Sequence, residues 1–240
     1  GDVYKRQAID SVEDAANPEE AKLLLKKVRE DFQRAGADLS DEDKAELSRI
    51  NSRLSELSTA FGENLLKDTV ARAVEIYDRE ELAGLSDDAI ASFAAYAKKA
   101  DTDAPWLIPL DLPSTPAQLA DLDSPATRAK LYEASLGRAG AASDKFDNSD
   151  IVLEMARLRA RRAKLLGYDT HADYVIAKET ATTAEAARKL IADLAPAAIA
   201  NAEGEYKRVA DLAGDETVTG ADWPYWERRR KAEEFAVDTE

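Results

Sequence analysis

"LSDEDKAELSRINSRLSELSTAFGENLLKD", residues 39–68, decides the fold class. Leu47, Ile50, Leu54, Leu57, Phe61 and Leu65 recur at steps of three or four, which places them along one side of a helix with 3.6 residues per turn. The positions between them are mostly charged or polar. Ser40 precedes Asp41, Glu42 and Asp43, the order expected of an N-cap followed by acids that complement the helix dipole. One apolar stripe of this length requires an antiparallel neighbour, and the helix immediately before it, after a short turn, is the natural candidate.

Helical punctuation continues along the chain. In "NPEEAKLLLKKVREDF", residues 17–32, Asn17 is the cap, Pro18 takes the first helical position, and Gly36 is the stop. Leu82 to Leu85 reads as a turn through Gly84, after which Ser86 caps a helix over Asp87–Lys99. Ser124 and Pro125 open another, with Gly140 beyond its end. Asp147 to Asp150 open the helix of "DNSDIVLEMARLRARRAKLLG", and Gly167 stops it. Thr182 to Glu185 has the spacing of a capping box ahead of a long helix that Pro196 is expected to kink. Asp222 is the expected cap of a last helix, "DWPYWERRRKAEEF". Two segments differ. Val74, Ile76 and Tyr77 suit a short strand or a helix end. "WLIPLDLPSTP", Trp106 to Pro116, combines an apolar run with three prolines and suits an extended edge segment that could pair with Val74–Tyr77. The expected fold is mainly α, an antiparallel helical bundle-like scaffold with at most one short two-stranded β element.

Composition narrows the function classes. Asp and Glu number 48 against 33 Lys and Arg, a net charge of −15. Such a surface repels phosphate, so neither nucleic acid nor an anionic membrane is an expected partner. No apolar run approaches the roughly 20 residues of a membrane span. "GDVYKRQ", residues 1–7, has neither an initiator Met nor the apolar centre of a signal peptide. It has the look of a non-native leader, so the expectation is that residues 8–240 are the native part and that the natural N-terminus, with any targeting signal, lies upstream.

The absence of cysteine removes disulfides, thiolate metal ligands and a cysteine nucleophile. His171 is the only histidine. Paired with Asp169 or Asp173 it could act as an acid–base unit, but no nucleophile accompanies it, and "GYDTHADYV" reads better as a helix junction. There Gly167 ends one helix, Asp169 or Thr170 caps the next, and His171 sits in its first turn. No phosphate-binding glycine loop and no G-x-S-x-G elbow occur. The basic run Glu227 to Lys231 reads as a solvated helix face with intrahelical pairs, or as an anion or peptide-carboxylate contact. Trp223, Tyr225 and Trp226 read as a helix-start anchor on the core, or as the wall of a groove.

Several of these segments, in order, resemble one family. "REDFQRAGADLSDEDKAELSRINSRLSELSTAFGENLLKDT", "DSPATRAKLYEASLGRA", "DNSDIVLEMARLRARRAKLLGYDTHADYVIAKETATTAEAARKLIADL" and "ADWPYWERRRKAEEFAVDTE" are similar to the N-terminal helical region of the M3, thimet oligopeptidase-like, zinc metallopeptidases. The family includes peptidyl-dipeptidase Dcp and oligopeptidase A, and the "LLGY" turn, Leu165 to Tyr168, and "DWPYW" favour its dipeptidyl carboxypeptidase branch. The family's Trp-Asp order appears here as Asp222–Trp223, and Trp226 stands where the family has a second Tyr.

The resemblance implies a zinc-dependent peptidase acting on short peptides, in the cytoplasm. In the family the metal is held by two His of an H-E-x-x-H helix and a downstream Glu. A chain with one His cannot contain that motif. The expectation is therefore an N-terminal-half fragment, truncated at both ends, that is inactive alone. No catalytic and no metal-ligating residue is assigned to it, and no substrate-binding residue is identified. Zinc belongs to the full-length protein and is not bound by this chain. The partners are short peptides and a catalytic half beyond Glu240, and these helices form one wall of the substrate channel. A face built to meet that half should make the isolated chain self-associate. A free-standing helical interaction protein without catalysis is the alternative.

Overall fold

The stripe on residues 47–57 finds its neighbour far along the chain. In the computed structural model, which describes residues 19–110, 116–143, 145–214 and 216–235, Ile50, Leu54 and Leu57 on helix α2 (Asp41–Ala71) are buried against Met155, with Ile151, Leu158 and Leu165 alongside. Those residues line helix α5 (Ser149–Leu165). The pairing is antiparallel: Arg53 meets Glu154 at 2.6 Å, whereas Glu46, two turns earlier, meets Arg161 at 2.8 Å. The expected partner, helix α1 (Glu19–Arg34), leaves Leu23 and Leu24 more than half exposed. The end of α1 and its turn do border the start of the stripe, where Phe32, Ala35 and Gly36 lie beside Leu47, while Ile50, Leu54 and Leu57 take their buried contacts from α5.

Five further α-helices are found among the described residues: α3 (Asp87–Ala100), α4 (Pro125–Leu136), α6 (His171–Ile176), α7 (Ala184–Ala213) and α8 (Trp223–Phe235). The chain divides into two compact units, one of Gly1–Thr59 with Ile151–Lys189, the other of Ala60–Asp150 with Leu190–Glu240. A two-stranded sheet belongs to the second. Its strands β1 (Val74–Ile76) and β2 (Trp106–Ile108) are antiparallel, with Val74 opposite Ile108 and Ile76 opposite Trp106. Period-two alternation buries Val74 and Ile76 and exposes Glu75, as a strand with one covered face requires. Tyr77 falls outside the strand and is exposed. Around the sheet, Leu82, Phe93, Leu119, Leu122 and Leu131 form the core of this unit.

Caps fix the helix ends. Ser40 Oγ accepts the Asp43 N–H at 3.1 Å, Ser86 Oγ that of Ala89 at 3.2 Å, and Ser124 Oγ that of Thr127 at 3.2 Å, as the sequence predicts. Gly36 and Gly167 close α1 and α5 with positive φ, and the Tyr168 N–H reaches back to the Ala163 carbonyl at 2.9 Å. Helix α4 ends at Leu136 with Gly137 as its cap, three residues short of Gly140. The box at Thr182 is displaced by one residue. Thr182 has φ +59, and Thr183 caps α7 by accepting the Ala186 N–H at 3.1 Å, which puts Glu185 one position too early to close the box. Helix α7 continues on both sides of Pro196. Asn17 and Pro18 lie outside the described residues.

Candidate functional site

His171 opens helix α6. Thr170 is its cap, accepting the Asp173 N–H at 3.1 Å and donating its hydroxyl to Asp173 Oδ2 at 2.7 Å. Asp169 receives Lys164 Nζ at 3.1 Å. Both carboxylates that flank His171 in sequence are thus engaged elsewhere, and neither forms an acid–base pair with it. The imidazole instead lies near the Tyr174 ring, with centroids 6.2 Å apart and planes 25° from parallel. Its Nδ1 is buried without a hydrogen-bond partner. Burial, reinforced by the positive charges of Arg162 and Arg159, holds its pKa below the usual histidine value.

Tyr174 is the centre of this corner. The Arg34 guanidinium stands 4.3 Å from the Tyr174 ring centroid and that of Arg162 stands 5.3 Å away. Tyr168 meets Tyr174 edge-on at 5.3 Å. Arg34 donates to Tyr168 Oη at 2.9 Å and to the Tyr174 carbonyl at 2.5 Å, so the end of α1 is tied to α6. Cation–π contacts and a guanidinium that donates to two partners hold this junction together. It places the imidazole among cations, with its Nδ1 buried and unpartnered.

A second cluster lies in the other unit, at the start of α8. Trp223 and Trp226 pack on Val209, Ala213 and Val218, which realises the reading of a core anchor. Tyr225 is held between Arg128, 4.1 Å from its ring centroid, and Arg229, at 3.3 Å, while its hydroxyl donates to Asp123 at 3.1 Å. Asp222 occupies the cap position, since its carbonyl receives the Trp226 N–H, but its carboxylate does not cap the helix. It accepts the Thr219 N–H and hydroxyl at 3.1 and 2.6 Å and pairs with the fully buried Arg128 at 2.8 Å. Burial pushes the Asp222 carboxyl up, yet the hydrogen bonds from Thr219 and Arg128 prevail and hold it below the usual carboxylate range. Thr219 and Arg128 outcompete the helix's own amides for these oxygens because a buried guanidinium demands a full counter-charge.

The basic run is only partly the solvated face that its sequence suggests. Arg230 is buried and pairs within the helix with Glu227 and Glu234, and Lys231 pairs with Glu227. Arg228 and Arg229 cross to Asp121 and Asp123 on the segment before α4. These four cations are matched by carboxylates of this chain. The role of Arg128 is invisible in sequence, where "ATRAKLYE" gives no sign that one arginine is interior.

The donor set does not suit a transition metal. The sequence has one His and no Cys, and among the described residues no group of three or more His, Asp or Glu is arranged to hold an ion. Nor is any helix among them long and apolar enough to cross a membrane.

Comparison with known proteins adds what geometry does not. The model of Peptidase family M3 matches residues 118–240, slightly more than half of the chain. The chain is 31% identical over 219 residues to "Dipeptidyl carboxypeptidase" of Escherichia coli (strain K12), covering 90% of this chain and 32% of that protein. It is 30% identical over 217 residues to "Oligopeptidase A" of Salmonella typhimurium, covering 88% and 32% respectively. To "Organellar oligopeptidase A, chloroplastic/mitochondrial" of Arabidopsis thaliana it is 32% identical over 216 residues, covering 85% and 27%. The chain spans about a third of the length of the curated relatives it matches. With the ordered helices described above, these matches establish that the chain belongs to peptidase family M3.

Proposed function

We propose that this chain is the non-catalytic helical portion of a zinc-dependent peptidase, a peptidyl-dipeptidase or an oligopeptidase of the cytoplasm, that hydrolyses short peptides. Its helices form one wall of the channel that admits such peptides. The observation that carries this reading is the ordered similarity along 85–90% of the chain to proteins named dipeptidyl carboxypeptidase and oligopeptidase A. The chain's own residues do not fit a zinc site: one histidine cannot supply an H-E-x-x-H pair, and no carboxylate cluster replaces it among the described residues. Zinc and the catalytic groups would therefore come from polypeptide outside these 240 residues.

Two measurements test the reading. The 240-residue chain should cleave no short peptide and retain no stoichiometric zinc after dialysis. Sequencing the source DNA past Glu240 should reveal an in-frame H-E-x-x-H. A stop codon directly after Glu240, or tight one-to-one zinc binding by this chain, would overturn it.

A further inference from the structure

The Tyr174 corner has a property that its structural role does not require. A protonated imidazole must donate from both ring nitrogens, and His171 Nδ1 is buried where nothing accepts from it. The charges that act on the ring are adverse. Helix α5 presents Arg159 and Arg162, and α1 contributes Arg34 through the Tyr174 ring. On the flanks of His171 itself, Asp173 is engaged by Thr170 and Asp169 by Lys164, while Tyr168 is engaged by Arg34. Among the described residues no carboxylate lies within ion-pair distance of the ring. A proton added here gains neither an acceptor at Nδ1 nor a counter-charge, so protonation favours conformers in which the ring leaves its place beside Tyr174.

We propose that the Arg34–Tyr174–Arg162–His171 corner is a proton-operated latch: closed while His171 is neutral, and opened when His171 takes up a proton and swings towards water. Tyr174 provides the linkage. Its carbonyl and ring both bind Arg34, so displacement of the imidazole stacked near that ring loosens the tie between α6 and α1. The depressed pKa of His171 agrees with this geometry but is not its basis. Sign follows from proton counting. The open form binds the proton and the closed form resists it, so each pH unit below the free histidine value of about 6.5 multiplies the opening equilibrium by up to roughly tenfold. The increase levels off once the closed form is also protonated.

Because His171 is the only histidine, its imidazole signals are assigned without ambiguity. The test follows the titration of histidine-labelled chain by NMR, together with amide hydrogen exchange in α6 and the end of α1, corrected for intrinsic rates, from about pH 7.5 to about pH 5. The expected result is a titration midpoint below about 6.5, with protection of the α6 amides falling by up to roughly tenfold per pH unit beneath that value. His171→Gln, which cannot take up a proton, should remove that dependence. Arg162→Gln, which deletes an adverse charge, should raise the His171 midpoint, and it keeps the proposal testable if His171→Gln fails to fold. A midpoint at or above the free value, or the same loss of protection in His171→Gln, would overturn the latch.

Discussion

Arg128 and Asp222, 94 positions apart in sequence, form a buried ion pair at 2.8 Å that joins the first turn of α4 to the start of α8. The Arg128 guanidinium is well satisfied, because its Nη1 also donates to the carbonyls of Leu122 at 2.9 Å and Asp123 at 3.1 Å. Removing one partner of such a pair strands the other charge in a medium that solvates it poorly. Arg128→Met should therefore destabilise the second unit by about 3–5 kcal/mol, read as a shift in the urea midpoint. The double variant Arg128→Met/Asp222→Leu should recover part of that loss, since no buried charge is then left unpaired. If the double variant is as unstable as the sum of the singles, desolvation is not the cause.

Acid should act on the same pair. The Asp222 carboxyl sits lower in the folded chain than in the unfolded one. Below about pH 4 the unfolded chain therefore binds the extra proton first, and stability falls as the pH drops through the folded value. Above that window the contribution is fully present. Asp222→Asn should lower stability at neutral pH yet flatten its decline in acid, measured as thermal midpoints across a pH series.

How far the sequence foretold these features depends on the range of the interaction. The stripe from Leu47 to Leu57, the cap at Ser40 and the turn at Gly167 are local, set by spacing and backbone preference, and all are found as predicted. The pairing of Val74–Ile76 with Trp106–Ile108 was legible because few other segments could be extended. Partner choice was not legible. Helices α1 and α5 both carry apolar residues at helical spacing, and only three-dimensional packing selects α5 for the stripe. Asp222 has the residue type and position of a cap, yet a buried arginine claims its carboxylate. The isolation of His171 was plain, but its clasp depends on Arg34, which meets Tyr168 and Tyr174 across 134 and 140 positions.

The α2–α5 seam gives a contrast between apolar and polar contacts. Leu54 is 7% exposed and packs in the cluster with Met155. Leu54→Ala should cost about 2–5 kcal/mol through lost transfer energy and the cavity left behind. Arg53, its neighbour in sequence, pairs with Glu154 at 2.6 Å, but both side chains are more than a third exposed. Water screens that pair, so Arg53→Ala should move the denaturation midpoint far less than Leu54→Ala. Equal effects would mean that the seam is held by charge.

Apolar side chains on α7 should control the solution state. Leu190, Ile191 and Leu194 lie on one side of the helix and are 58%, 66% and 60% exposed. A contiguous apolar face of this kind favours contact with another apolar surface over water. Sedimentation of the chain should show concentration-dependent self-association, and Leu190→Glu/Leu194→Glu should shift it to monomer without altering helix content. A monodisperse wild-type monomer at high concentration would count against this.

Among the described residues, Gly84 is the glycine least tolerant of a side chain. It has φ +92, and a Cβ added there would lie 2.0 Å from the Asp121 carbonyl oxygen. That oxygen belongs to backbone held in place nearby, since the Asp123 N–H donates to the Ala83 carbonyl at 2.9 Å. A methyl group cannot be accommodated by rotating a side chain; the two segments must part. The left-handed conformation alone costs an L-residue about 1–2 kcal/mol, and separation of the strand-to-helix connection from Leu122 adds lost burial. Gly84→Ala should therefore destabilise by more than that figure and expose Leu82 and Leu122, both fully buried in the native chain. Gly62, on the exposed side of α2, has no neighbouring atom within 4 Å of where a Cβ would sit, so Gly62→Ala should instead stabilise the helix by up to about 1 kcal/mol. Thermal midpoints moving in opposite directions for these two glycine-to-alanine changes would establish that the constraint at residue 84 is local backbone geometry, and equal shifts would refute it.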